Sequence, residues 1–103
     1  MRVITPGLRL KSAVCSTEVM VIRAPAGEAQ IACGGTEMLS GSDAPAAGAS
    51  LDSKWAHGSL IGKRYVDSED RYELLCTKGG AGALALNGVA LEIKQAKALP
   101  SSD

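Results

Sequence analysis

Short runs of alternating apolar and polar residues, separated by glycine and proline, dominate this chain of 103 residues. In residues 8–11 apolar and charged side chains alternate, which is the period-2 pattern of a half-buried strand. Residues 18–23 are rich in β-branched side chains, and Pro25 ends this run. Residues 28–33 alternate again, with Ala29, Ile31 and Cys33 on the inner face. No segment carries a convincing helical pattern, so the sequence predicts strands.

The second half of the chain shows the same alternating pattern and contains the clearest local indication of a turn. Residues 60–66 and 71–77 read as strands on either side of an acidic turn. Residues 84–86 and 89–93 then flank the pair Asn87-Gly88. A type I′ turn needs positive φ at both central residues, and Asn-Gly satisfies this at the lowest steric cost. The sequence therefore predicts a β-hairpin at this pair.

Together these runs predict one small all-β domain, either an antiparallel meander or a barrel-like fold. An N-terminal meander is expected over 8–33, C-terminal strands over 59–94 and a frayed tail over 95–103. Between them, 34–58 is rich in Gly, Ala, Ser and Pro and is expected to be a flexible loop, either a linker or an arm that orders on a partner. One sheet, a barrel and a two-layer sandwich are all compatible with this division.

Charge and composition exclude several classes of function. Eleven basic and eleven acidic residues cancel, so no global field attracts nucleic acid or an anionic membrane. The longest apolar stretches fall far short of the roughly 20 residues of a spanning helix. Charged residues interrupt the N-terminal segment, which predicts a cytoplasmic protein rather than a secreted one. Three cysteines cannot form a complete set of intrachain disulfides and are expected as buried thiols.

Residues 8–38 resemble the desulforedoxin-like module found at the start of desulfoferrodoxins. The matching positions are Val14-Cys15, Val19, Val21, Ile22, Ala24, Gly27-Glu28, Cys33-Gly34 and Met38. That family binds one iron through four thiolates, whereas here Ser12 and Ala32 stand in place of the first and third cysteines. The resemblance therefore implies a shared strand-turn-strand scaffold that has lost its iron.

A different metal site remains an alternative. Cys15, Cys33, Cys76 and the single histidine, His57, together make a Cys₃His set, which is an accepted composition for structural zinc. Such a site would join the two halves of the chain and stabilise a small core. No two of these residues form the close pair typical of zinc ribbons. Burial of the thiols with no cofactor is therefore the first expectation, and zinc or iron is the alternative.

No acid–base constellation is visible, so no catalytic residues are predicted. A hydrolase or transferase using Cys76 would have only His57 as its base. The favoured hypothesis is a non-catalytic accessory subunit or protein-interaction module of a larger assembly, binding a protein partner or a second copy of itself. Its large apolar side chains predict four contact residues: Met38, Leu39, Trp55 and Tyr65. The alternative is the desulforedoxin-like metal module.

Overall fold

The computed structural model describes residues 2–41, 43 and 48–94. These residues form twelve short strands and one 3₁₀ turn, with no α-helix. The strands are β1 (Arg2–Val3), β2 (Arg9–Lys11), β3 (Glu18–Arg23), β4 (Glu28–Ala29), β5 (Ile31–Cys33), β6 (Thr36–Glu37), β7 (Leu39–Ser40), β8 (Arg64–Val66), β9 (Glu73–Lys78), β10 (Leu84–Leu86), β11 (Val89–Ala90) and β12 (Glu92–Ile93); the 3₁₀ turn is Ser53–Trp55. Within the described ranges, no helix is long and apolar enough to cross a membrane.

The strands pair in three antiparallel sheets, which confirms the predicted all-β class. Six strands lie in the order β12-β8-β9-β3-β2-β7, four in the order β11-β10-β5-β6, and β1 pairs with β4. The longest pairing joins β3 to β9, with Val19 opposite Cys76 and Val21 opposite Leu74. The predicted N-terminal meander is wrong in one respect, because its last strand does not pair with β3. Strand β3 pairs with β2 and β9. Strand β5 pairs instead with β10 and β6 in the other sheet.

The larger sheets are joined at both ends by strands that continue from one into the other. Only Met38 separates β6 from β7, and only Leu91 separates β11 from β12. Both residues are buried, so their side chains fill the corners where the chain bends. Apolar residues of both larger sheets, of β4 and of the connecting segments belong to a single core cluster: Ile4, Leu10, Val19, Val21, Ala29, Ile31, Cys33, Met38, Tyr65, Tyr72, Leu74, Cys76, Leu84, Leu86 and Leu91. The two sheets therefore enclose one core.

The hairpin predicted at Asn87-Gly88 is confirmed. Leu86 pairs with Val89 on either side of the turn, and φ is 49° at Asn87 and 83° at Gly88. The Asn87 side-chain carbonyl also accepts a hydrogen bond from the Gln30 N–H at 2.8 Å. This contact fixes the hairpin tip against the start of β5.

The segment 34–58, predicted as a flexible loop, contains ordered elements at both ends. Strands β6 and β7 lie in it, and so does the 3₁₀ turn, in which the Asp52 side chain caps the Lys54 N–H. The Asp52 N–H donates to the Gly34 carbonyl at 2.9 Å, and the Ala83 N–H donates to the Trp55 carbonyl at 2.7 Å. Backbone hydrogen bonds thus order sequence that composition alone describes as a loop. Residues 42 and 44–47, and the predicted tail 95–103, lie outside the described residues.

Candidate thiol site

The turn that joins β2 to β3 is built around the Ser12 side chain. The Ser12 Oγ accepts hydrogen bonds from the backbone N–H groups of Val14 and Cys15, both at 3.1 Å. The Ser12 N–H donates to the Thr17 carbonyl at 2.8 Å and closes the turn. Serine favours such turns because its hydroxyl replaces a backbone acceptor. The turn holds the Cys15 Sγ 3.3 Å from the Ser12 Oγ.

Polar groups surround the Cys15 sulfur on several sides. The Thr17 Oγ1 lies 3.3 Å from it, and the Gly82 N–H donates to it at 3.3 Å. Burial on its own would raise the pKa of Cys15. The hydroxyls of Ser12 and Thr17, together with the backbone amides of Thr17 and Gly82, outweigh burial and lower the pKa from 9.0 to about 6. Cys15 is therefore a thiolate at neutral pH, which is the nucleophilic form of cysteine.

Cys33 lies directly beside this thiolate, at the end of β5. The two Sγ atoms are 3.7 Å apart. Cys33 is fully buried, whereas Cys15 is partly exposed. Burial, and then the neighbouring Cys15, raise the pKa of Cys33 to about 11. The site therefore combines an ionised, accessible sulfur with a protonated, buried one.

A second layer of hydroxyl groups lies behind the two cysteines. The Thr17 Oγ1 and the Ser59 Oγ are 2.6 Å apart, and both residues are buried. Cys76, on β9, lies next to this pair and donates to the Lys78 carbonyl at 3.3 Å. Burial raises the pKa of Cys76, so the third thiol stays protonated.

The glycine-rich segment 79–82 packs closely against the cysteines and hydroxyl groups of this site. A Cβ on Gly80 would lie 2.5 Å from the Thr17 Oγ1, and a Cβ on Gly82 would lie 2.8 Å from the Cys33 Sγ. Both distances are shorter than packed atoms allow. Positions 80 and 82 therefore require glycine, because a side chain at either one would keep the segment from packing against Thr17 and Cys33.

No family model, curated protein or solved structure matches this chain.

The resemblance to desulforedoxin-like modules therefore stays a prediction. What Cys15 and Cys33 can do chemically follows from the distances and hydrogen bonds around their sulfur atoms. Sequence reasoning placed Cys15 and Cys33 in one candidate set, but it missed Thr17, Ser59 and the role of Gly80 and Gly82. The density of glycine in 79–82 was the available signal, because close backbone approach is one reason for such a run.

The structure brings two of the four predicted metal ligands, Cys15 and Cys33, into contact. His57 lies on the exposed loop after the 3₁₀ turn, with its ring centroid 6.5 Å from that of Trp55. It lines a groove with Leu60 and Tyr65. Among the residues that the structure describes, no three His, Cys, Asp or Glu side chains are grouped to hold a metal ion. Two sulfur ligands do not complete a tetrahedral site, and the Cys₃His set stays a prediction.

The four predicted contact residues divide between the core and the surface. Met38 is fully buried at the corner between β6 and β7, and Tyr65 is 6% exposed. The Tyr65 hydroxyl accepts a hydrogen bond from the Leu60 N–H at 2.9 Å. The prediction is corrected for Met38, whose side chain has no exposed surface, whereas Tyr65 is mostly buried and shows only an edge in the groove beside His57. Leu39 and Trp55 are partly exposed.

Proposed function

We propose that this protein is a thiol–disulfide redox protein, in which Cys15 and Cys33 alternate between a dithiol and a disulfide. The observation that carries this proposal is the 3.7 Å separation of the two Sγ atoms. A disulfide bond is about 2.05 Å long, so the sulfurs lie close to bonding range. The difference in exposure assigns the roles, because the partly exposed Cys15 meets the partner and the buried Cys33 resolves the intermediate.

The reaction is a two-step exchange with a partner disulfide. In the first step the Cys15 thiolate attacks one partner sulfur, a Cys15–partner bond forms, and the other partner sulfur leaves as a thiolate. In the second step Cys33 transfers its proton to that leaving thiolate and attacks the Cys15 Sγ. The Cys15–Cys33 bond forms, and the remaining partner sulfur leaves as a thiolate. The partner gains two electrons and the chain loses two.

A cytoplasmic location is part of the same proposal. Cytosolic proteins keep their thiols reduced, and cytosolic disulfides in them are usually transient, catalytic or redox-sensing. An accessible thiolate next to a buried thiol fits that use better than a permanent structural disulfide. The pair would then rest in the dithiol form and be oxidised only when a disulfide substrate is present.

Oxidation of the intact chain with glutathione disulfide, followed by peptide mapping, tests the proposal. We expect the loss of two hydrogen atoms and a single Cys15–Cys33 crosslink, with Cys76 still free. Cys33→Ser should stop at the mixed disulfide between Cys15 and glutathione, because the resolving thiol is gone. The matched control is Cys76→Ser, which should still form the crosslink. A wild-type chain that keeps glutathione on Cys15, or crosslinks Cys76 instead, contradicts the proposal.

A second proposal keeps the interaction module predicted from the sequence. Its support is a pair of exposed apolar side chains, Leu60 and Ile61, which are 57% and 67% exposed. They lie at the turn before β8, and Leu60 borders the groove lined by His57 and Tyr65. Large apolar side chains of this kind dominate interface energies. We propose that this turn contacts a second copy of the chain.

Sedimentation velocity over a range of protein concentrations tests the second proposal. We expect wild-type protein to form a dimer as concentration rises and Ile61→Ser to shift the midpoint at least about tenfold upward, since burying this side chain contributes roughly 1.5–3 kcal/mol. Val89→Ser is the control, because Val89 is 66% exposed but lies on the β10–β11 hairpin. A wild-type chain that stays monomeric throughout overturns the dimer.

A further inference from the structure

The Thr17 hydroxyl has one hydrogen, and the sulfurs of Cys15 and Cys33 and the hydroxyl of Ser59 all lie within hydrogen-bonding distance of it. The Cys15 Sγ lies 3.3 Å from the Thr17 Oγ1, and the Ser59 Oγ lies 2.6 Å from it. Thr17 is fully buried and Ser59 is 4% exposed, so bulk water does not compete for the hydrogen bonds of these two hydroxyls. The orientation of the Thr17 hydrogen therefore depends on which neighbour is the stronger acceptor.

A thiolate is a stronger acceptor than a neutral hydroxyl, because hydrogen bonds to a charged atom are roughly twice as strong as neutral ones. When Cys15 is ionised, the Thr17 hydrogen therefore points at the sulfur. The short contact between the hydroxyls then requires Ser59 to donate to the Thr17 Oγ1. The Ser59 hydroxyl thus stabilises the orientation that the thiolate needs.

The backbone fixes Ser59 in the position from which it can donate. The Ser59 N–H donates to the Gly80 carbonyl at 3.0 Å, and the Gly80 N–H donates back at 3.2 Å. A Cβ on Gly80 would occupy the space of the Thr17 Oγ1. The glycine therefore allows the segment carrying Ser59 to lie against Thr17. Residues far apart in sequence are joined here into one hydrogen-bonded unit.

We propose that Ser59 is a positioning residue for the thiol pair, acting through Thr17. By donating to the Thr17 Oγ1 it directs the Thr17 hydrogen at the Cys15 Sγ and stabilises the reduced form. This inference rests on the proposed redox function of the pair. In the disulfide the Cys15 sulfur carries no charge, so the Ser59 contribution is largest in the reduced state. Ser59 consequently biases the equilibrium between dithiol and disulfide without touching either sulfur.

Equilibration of the full-length chain with glutathione at fixed pH measures this bias. We expect Ser59→Ala to favour the disulfide about tenfold, which makes the reduction potential roughly 30 mV more negative. Ser59→Thr, which keeps a hydroxyl, should restore most of the wild-type value. The control is Ser16→Ala, because the Ser16 Oγ donates to the Gly79 carbonyl at 2.7 Å. It contacts the same glycine segment but has no hydrogen bond to Thr17, and its potential should be unchanged.

A double-mutant cycle separates positioning from a general effect on the fold. In a Thr17→Val background the Ser59→Ala change should have no further effect on the potential, because the hydroxyl through which it acts is absent. An equal shift in both backgrounds, or the same shift in Ser16→Ala, overturns the proposal. If Thr17→Val does not fold, the reduction potentials of Ser59→Ala, Ser59→Thr and Ser16→Ala test the proposal by themselves. A merely structural role of Ser59 predicts that Ser59→Thr does not restore the wild-type potential.

The pH dependence of Cys15 alkylation by iodoacetamide keeps this test independent of the redox function. We expect Ser59→Ala to raise the pH at which the rate is half-maximal by about one unit, the shift that corresponds to a tenfold change, and Ser16→Ala to leave it unchanged. If the wild-type chain forms no Cys15–Cys33 disulfide, the redox function fails while the alkylation rates still decide the role of Ser59. If the disulfide forms but alkylation of Ser59→Ala shows the wild-type pH dependence, the redox function stands and the positioning role of Ser59 is wrong.

Discussion

Replacing Gly82 with alanine should lower the free energy of unfolding by about 3 kcal/mol, because the added methyl group meets backbone rather than a movable side chain. Its Cβ would lie 2.8 Å from the Gly34 nitrogen and 2.9 Å from the Gly34 Cα. Gly34 has no room to retreat, since the side chains of Val14 and Leu51 fill the space beside it. The strain must therefore separate segment 79–82 from the end of β5.

The same displacement should affect the thiol pair. The Gly82 N–H donates to the Cys15 Sγ, so moving Gly82 removes one of the groups that stabilise the thiolate. We expect the pH at half-maximal Cys15 alkylation to rise together with the loss of stability. Urea unfolding followed by Trp55 fluorescence measures the stability. The control is Ala81→Ser, because Ala81 is exposed in the same segment; equal stability of the two variants would contradict the steric argument.

The close approach of Gly82 to Cys33 follows from a strand pairing that no local pattern encodes. Leu84 lies opposite Cys33 in the β10–β5 pair, which sets segment 79–82 above the end of β5. The hairpin at Asn87-Gly88 could be predicted because its signal lies within a few residues. Residues 33 and 84 are far apart in sequence, and their pairing depends on how the whole core packs.

The two corners, where the chain passes from one sheet into the other, could not be predicted from the sequence for a related reason. A single strand was predicted over 89–93, but Leu91 separates β11 from β12, and the chain changes sheet there. Met38 makes the equivalent change between β6 and β7. Alternation predicts which face of a strand is buried, but a strand that bends between two sheets buries its corner residue too. The partner role predicted for Met38 rested on its size, and the corner explains why that large side chain is internal.

The positions of the three cysteines relative to one another also depend on long-range strand pairing. Cys76 is placed by its pairing opposite Val19, and Cys33 by its position at the end of β5. Only the turn from Ser12 to Thr17 is local, and its serine and threonine were readable as turn residues. The sequence shows three cysteines and many hydroxyls, but long-range pairing alone decides which of them meet. The composition of the candidate thiol site is therefore determined by the pairing of the sheets.

Glu73 is the other residue whose replacement should have a large effect. Its side chain is 3% exposed, yet it is charged and lies within the six-stranded sheet. The Lys94 Nζ lies 2.9 Å from its Oε1 and the Arg64 guanidinium 3.1 Å from its Oε2. The Arg23 guanidinium is 3.4 Å from the Oε1. A buried charge is stable only when it is paired in this way, so one carboxylate ties β9 to β8, β3 and the residue after β12.

Glu73→Gln should destabilise the protein by about 2 kcal/mol, the scale of hydrogen bonds to a charged group. The three cations are each more than a third exposed and turn to water in the variant, which limits the loss. The control is Glu69→Gln, whose ion pair with Arg71 is exposed on both sides and contributes at most about 1 kcal/mol. Equal unfolding midpoints in urea for the two variants would contradict a structural role for the buried carboxylate.

Acidification should erase the difference between wild-type protein and Glu73→Gln. The hydrogen bond from Lys94 lowers the pKa of Glu73 below its usual 4.5, burial opposes this, and the charges of Lys94, Arg23 and Arg64 lower it further. The unfolded chain therefore binds the proton first as the pH falls. The stabilisation by the carboxylate is complete above pH 4.5 and disappears as the pH drops through the lower pKa of the folded state. Urea midpoints of the two proteins should converge on that acidic side and stay apart at neutral pH.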